Sequence, residues 1–243
     1  MSYVLIIGAK SDIAKATARE YAKNGYDLYL AARNVEKLTD FAQDITTRTE
    51  KKVKLIEFDI LAFESHQAFY KNLKEKPLGV ISAVGYLGDQ EKAQKDFTEV
   101  KRIIDTNYTG VVSLFNIIAN DFEQRRSGFI VGISSVAGDR GRKSNYIYGS
   151  AKAALTAYLS GLRNRLYDAQ VTVLTVKPGF VATKMTADMD LPEKLTAQPE
   201  NVAQDIFKAQ QSGKDVLYTK WIWKWVMLVI QIIPEWKFKG MSI

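Results

Sequence analysis

What most constrains the fold of this 243-residue chain is a rhythm. Short apolar runs rich in β-branched and aromatic residues alternate with longer stretches of helical periodicity. The runs Tyr3–Ile7, Asp27–Ala31, Lys54–Phe58, Gly79–Ala83, Gly128–Ile133 and Val171–Val176 read as strands. Between them, Asp12–Asn24, Val35–Arg48, Phe63–Lys74, Phe97–Phe122 and Tyr148–Asp168 read as helices. A strand apolar along its whole length is buried on both faces, and a helix between two strands is the crossover that parallel pairing requires. The pattern predicts an α/β fold, a doubly wound parallel sheet flanked by helices. No repeat, low-complexity tract or Pro/Gly-rich linker interrupts it. A single domain over residues 1–215 is expected, followed by a distinct tail over 216–243.

Composition narrows the chemistry. At 47% hydrophobic residues the chain has material for a full core. It has no cysteine, which excludes disulfides, thiolate metal sites and a cysteine nucleophile. With a single histidine, His66, placed in an expected surface helix, and no clustered acidic motif, no metal site is expected. The net charge of +7 admits a nucleic acid, a membrane surface or an anionic substrate. No zinc-finger spacing, RNA-binding signature or basic-helix arm is present, so nucleic acid is the least favoured. The opening residues read as a buried strand rather than a signal peptide, and a cytoplasmic location is expected.

The segment Gly8-Ala9-Lys10-Ser11-Asp12-Ile13-Ala14 joins the first strand to the first helix. There a dinucleotide pyrophosphate would meet free N–H groups at a helix amino terminus. The loop is imperfect, with Asp12 where glycine is expected. Asp12 reads either as a helix cap, the favoured reading, or as a group facing the cofactor. Arg33, at the end of the second strand, takes the place of the acid that would hold an NAD ribose. It suits a 2′-phosphate and argues for NADP, with help from Lys10, unless it is an ordinary surface arginine. Asp59 and Ile60, after the third strand, are placed to meet an adenine edge.

Tyr148 and Lys152 stand at i and i+4, one helical turn apart on one face. A protonated lysine there lowers the pKa of the phenol, which then exchanges a proton with a carbonyl or alcohol oxygen. Taken with Gly8 to Ala14, Asp59, Asn107, Ser135 and Pro178-Gly179, this pair resembles the short-chain dehydrogenase/reductase family over residues 1 to about 215. The resemblance implies a Rossmann-like sheet of about seven strands and hydride chemistry on NADP(H). It implies that Tyr148 is the acid/base, that Lys152 tunes it and holds the nicotinamide ribose, and that Ser135 hydrogen-bonds the reacting oxygen. Asn107 would hold a relay water and Thr183 the carboxamide, with Ser11, Ile13, Ala83, Pro178, Gly179 and Val181 along the cofactor. The chain departs from the family at Ser82-Ala83-Val84-Gly85 and at Ile7. The alternatives are a soluble carbonyl reductase of a small or aliphatic substrate and a non-catalytic nucleotide-bound scaffold.

Residues 139–148 and 178–186 are similar to a narrower branch, the reductase subunits of decaprenylphosphoryl-ribose 2-epimerase. That likeness implies a keto pentose carried on a polyprenyl phosphate, supplied by a separate flavin oxidase. Arg140, Arg142 and Lys143 lie between the catalytic serine and tyrosine and suit a phosphate, or form a solvated basic loop. The tail carries Trp221 to Ile233, almost wholly apolar, ended by Pro234. From Lys220 to Ile233 a helix would be roughly 21 Å long at ~1.5 Å per residue. That is short of the ~30 Å of a bilayer core. Tryptophans with flanking lysines suit an interfacial helix over 220–239, on the inner membrane face. The other reading is packing in a homodimer or homotetramer, or a lid on the substrate cleft.

Overall fold

Strand β1 (Tyr3–Ile7) is buried along all five residues, as its unbroken apolar run requires. In the computed structural model, which describes residues 2–187 and 190–241, it lies at the centre of a parallel sheet. The chain continues through α1 (Asp12–Lys23), β2 (Asp27–Ala32), α2 (Thr39–Thr49), β3 (Val53–Glu57), α3 (His66–Lys71) and β4 (Gly79–Ser82). A short α4 (Gln90–Ala93) leads to α5 (Phe97–Ile104), α6 (Gly110–Arg125) and β5 (Phe129–Ile133). Then come α7 (Tyr146–Leu166), β6 (Thr172–Pro178), the small pair β7 (Phe180–Val181) and β8 (Thr196–Ala197), and α8 (Pro199–Gln211). The chain closes with β9 (Val216–Thr219), α9 (Ile222–Ile232) and α10 (Glu235–Phe238).

The main sheet has seven strands in the order β3-β2-β1-β4-β5-β6-β9, all parallel. Alternation along the strands sorts side chains onto two faces. Tyr3, Leu5 and Ile7 join Tyr29 and Ala31 beneath α6 and α7. Val4 and Ile6 join Leu28 and Leu30 beneath α1 and α8. The order reverses between β1 and β4, which opens a crevice at their carboxyl ends, where ligands bind in folds of this kind.

Several sequence expectations need correction. Residues 216–219, assigned to the tail, are β9 and complete the sheet beside β6. The tail helix therefore starts only at Ile222. The expected tail and domain also include residues 1, 188, 189, 242 and 243, which lie outside the described residues. The helix expected over Phe97–Phe122 is two helices joined by a π-helical turn, Asp105–Thr109. Gly110 ends that turn because α6 enters against Ile60: a Cβ there would lie 2.5 Å from the Ile60 carbonyl oxygen. His66 is fully buried rather than on a surface. Its Nδ1 pairs with Ser113 Oγ at 3.0 Å, and burial holds its pKa below the ordinary histidine value.

Candidate active site

Two clefts meet over the β1/β4 crevice and share Lys10, Ser11, Ala83, Val84 and Gly85. Gly8 makes the junction possible. Its φ is +75°, and a Cβ there would stand 3.0 Å from the backbone of Ala83 and Val84. Only glycine adopts that conformation with that clearance at little cost. The first cleft is also lined by Gly8, Arg33, Asp59 and Ile60. The turn that presents Arg33 is built by Glu57, whose carboxylate accepts the amides of Asn34 (2.8 Å) and Val35 (2.9 Å). These bonds, with Lys10 and Arg33 nearby, hold Glu57 below the usual carboxylate range. Arg102, which the sequence reading missed, stacks 4.2 Å over the Tyr86 ring on the same wall.

The second cleft, about 320 Å³, holds the reactive groups. Ser135, Tyr148 and Lys152 line it together with Asp12, Ile13, Pro178, Gly179, Val181 and Thr183. Ser135 follows β5, Tyr148 and Lys152 lie on α7, Asp12 and Ile13 open α1, and the rest come from the end of β6, from β7 and from the segment after it. Ser134 ties the end of β5 to α7, because its hydroxyl donates to the Lys152 carbonyl (2.9 Å) and meets Thr156 Oγ1 at 2.8 Å. Lys152 is buried, and its ammonium donates to Ile133 O at 3.0 Å and Val84 O at 3.5 Å. Burial pushes Lys152 down to about 7. Burial also pushes the Tyr148 phenol up to about 12, while a hydrogen bond with Ser135 pulls the other way. Desolvation is the leading influence on both groups. The phenol is thus held in its proton-donating form at neutral pH.

Asn107, fully buried in the π-helical turn, spends its side chain on its neighbours. Its amide donates to Tyr86 O (2.7 Å) and Ile103 O (2.9 Å), and its Oδ1 accepts from Tyr86 N (3.1 Å). It fixes the Gly85–Tyr86 edge of the cleft rather than lining the cleft itself. Asp12 is not the helix cap. Ser11 is, accepting from Ala14 N at 3.1 Å. Asp12 instead reaches across to the Lys184 amide at 2.8 Å and joins the two walls of the second cleft.

The three expected substrate cations separate. Arg142 lines the second cleft. Arg140 points away from it: its guanidinium donates to the carbonyls of Ile230, Gln231 and Ile233 and to Glu235, and lies 3.7 Å over Phe238. Those carbonyls end α9, so Arg140 is a helix C-terminal partner, not a substrate group. Lys143 is exposed and does not line the cleft. Beneath Arg140, Asp139 accepts from Lys177 (2.5 Å) and from the Tyr218 hydroxyl (2.9 Å).

The inner face of α9 backs the site. Trp223 and Met227 are buried against Val136, with Val226 and Ile230 beside them, an i, i+3, i+4, i+7 stripe. Trp223 lies over Gly179, where a Cβ would stand 2.0 Å from the indole, and donates from Nε1 to Leu195 O at 3.1 Å. The helix thus packs on its own chain, in the manner of a buttress. Its opposite face stays exposed, with Trp221, Trp225, Val229 and Ile232 outward and Trp236 beyond.

A family model described as short chain dehydrogenase matches residues 2–194. An uncharacterized oxidoreductase of Mycobacterium tuberculosis is 35% identical over 241 residues, covering 98% of this chain and 96% of that protein. A second uncharacterized oxidoreductase, from Streptomyces coelicolor, is 32% identical over 251 residues, covering 99% and 96%. A solved short-chain dehydrogenase from Sphingobium yanoikuyae, in complex with NADPH, superposes with a TM-score of 0.85 over 100% of this chain and 99% of that one, at 22% identity. With its seven-stranded sheet, its Gly8 turn and Ser135, Tyr148 and Lys152 in one cleft, the chain belongs to the short-chain dehydrogenase/reductase family of oxidoreductases.

Proposed function

We propose that the chain reduces a ketone to a secondary alcohol with NADPH. The observation that carries this reading is a continuous crevice with Arg33 and Lys10 at one end and Ser135, Tyr148 and Lys152 at the other. The residues fit a dinucleotide. Gly8 leaves backbone-only clearance, α1 turns its amino terminus to the junction, and Arg33 with Lys10 offers charge to a 2′-phosphate. NADPH in the Sphingobium relative supports the same choice. When bound, the nicotinamide supplies the hydride.

The protein supplies the rest. Tyr148 gives its phenolic proton to the carbonyl oxygen as negative charge develops there, and Ser135 donates a hydrogen bond to the same atom. Lys152 holds the nicotinamide ribose and, charged, stabilises the phenolate left behind. Asp59 and Ile60 border the adenine, while Ser11, Asp12, Ile13, Ala83, Pro178, Gly179, Val181 and Thr183 border the pyrophosphate and nicotinamide. Asn107 acts by positioning the Gly85–Tyr86 edge.

The substrate we propose is a polyprenyl-phosphate-linked keto sugar, delivered by a flavin oxidase. The likeness of residues 139–148 and 178–186 to the epimerase reductases supports it. The exposed aromatic face of α9 and the lysines at 224, 237 and 239 support peripheral contact of residues 220–239 with the inner membrane face. No helix among the described residues is long and apolar enough to cross a membrane. A homodimer or homotetramer in the cytoplasm completes the proposal.

Nicotinamide fluorescence tests it. NADPH binds selectively over NADH, Arg33→Asp reverses the preference, and Tyr148→Phe lowers ketone turnover by about 10²- to 10⁴-fold while cofactor affinity holds. Equal binding of both nucleotides removes Arg33 from the 2′-phosphate. Full turnover by Tyr148→Phe removes the acid.

A further inference from the structure

Among the described residues, five buried side-chain polar atoms have no hydrogen-bond partner. Three of them gather in one place: Arg142 Nε, Asn145 Oδ1 and Gln90 Nε2. Arg142 and Asn145 line the catalytic cleft and share a turn, with the Asn145 amide donating to Arg142 O at 3.1 Å. Gln90 Oε1 accepts from Ile147 N at 3.1 Å, which fixes its orientation and places its NH₂ group against the same segment. Tyr148 follows Asn145 by three residues, close to one helical turn.

Asn145 and Arg142 both lack the partner closest to hand. Asn145 stands at the N-cap of α7, where asparagine ordinarily gives its Oδ1 to a first-turn amide. Here it makes no cap bond. Arg142 has Asp139 nearby, but that carboxylate is committed to Lys177 and Tyr218. A buried donor or acceptor left unmet weakens the fold, so the two that line the cleft, Arg142 and Asn145, are groups held for a ligand, with Gln90 behind them. Leu87, Phe180 and Met185 line the same cleft and give its substrate side an apolar surface, against which Arg142 and Asn145 stand out.

We propose that Arg142 and Asn145 form a specificity subsite that selects ketones bearing hydroxyl groups and an anionic group near the reacting carbon, and disfavours aliphatic ketones. Arg142 takes the anion. Asn145 accepts from a hydroxyl, and Gln90 supports the segment from behind through the Ile147 amide. The inference rests on the reductase reading and deepens it, because it assigns the substrate end of the same cleft to named side chains.

Three small ketones test it with the full-length protein saturated with NADPH: dihydroxyacetone phosphate, dihydroxyacetone and 2-butanone. Affinity is read from quenching of nicotinamide fluorescence and turnover from NADPH oxidation. The wild type binds them in that order. Arg142→Gln lowers the phosphate-to-hydroxyl affinity ratio by about 10- to 100-fold, the range of one charge-assisted hydrogen bond. Arg142→Lys restores part of it, which separates recognition from folding. The loss falls on KM rather than kcat. Asn145→Ala lowers the preference for dihydroxyacetone over 2-butanone and leaves the phosphate-to-hydroxyl ratio near that of the wild type. The subsite is overturned if the NADPH complex binds all three ketones alike or binds none, or if Arg142→Gln keeps the wild-type ratio. Failure to bind NADPH at all, or equal turnover of 2-butanone by Tyr148→Phe, counts against the reductase reading instead.

Discussion

Lys152 is the residue whose chemistry and stability pull in opposite directions. The proposed mechanism needs it charged beside the phenol, yet burial pushes it down to about 7 in the fold. The ordinary lysine value is near ~10.4. Between those values the unfolded chain holds more proton than the folded one, so stability rises as pH rises from about 7 toward the ordinary lysine range. Below about 7 the cost of the buried ammonium is present in full. Melting temperatures from pH 6 to 10 should therefore climb for the wild type and climb less for Lys152→Met. Parallel profiles would mean that the side chain stays charged throughout. Tyr148 and Lys152 were legible as a pair from their spacing alone. The burial of both was not, because spacing reports adjacency and says nothing about desolvation. Asp12 was misread for a related reason. Ser11 and Asp12 are near-equal capping types one residue apart, and only the fold shows that the aspartate is needed by Lys184.

At the scale of elements, the sheet was legible and the pieces attached to it less so. Six strands announced themselves by largely apolar runs, the third with Lys54 and Glu57 among them. The seventh, Val216–Thr219, is four residues long and merges into the tail without a turn signal, so it was absorbed into the tail. The basic loop shows the other limit. Arg140 and Arg142 are two apart and face opposite ways, one onto the end of α9 and one into the cleft. Nothing in a loop sequence sets that alternation; the docking of α9 does. The contact most open to test is Gly179 beneath Trp223. Gly179→Ala places a methyl into the indole and should destabilise the chain by about 1–3 kcal/mol, read by denaturant unfolding. Trp223→Ala relieves the same clash, so the double variant should lose less than the sum of the single losses. Simple additivity would show that the two do not touch.

Across the whole molecule, charge and apolar surface are arranged on different features. Cations gather at the Arg33 end of the crevice and around α9, while the outward side of α9 carries aromatic rings, with Trp221 at 75% and Trp236 at 74% exposure. If that face meets lipid, full-length protein should co-sediment with phosphatidylglycerol vesicles at low salt and be released as salt rises. Replacing Trp221, Trp225 and Trp236 by serine should abolish sedimentation with little change in melting temperature. Loss of a dimer in the same variant, with no vesicle binding by the wild type, would assign the face to a second copy.

The buttress on the inner side has a practical consequence. Shortening the chain at residue 215 would not yield a smaller working enzyme. It would strip the sheet of its last strand, leave Arg140 without its carbonyl acceptors and bare the slot over Gly179. Surface behaviour and catalysis in this protein can be uncoupled only by editing the outside of α9 one side chain at a time. The same helix that greets the surroundings props, from behind, the wall that Val136, Gly179 and Phe180 give the catalytic cleft.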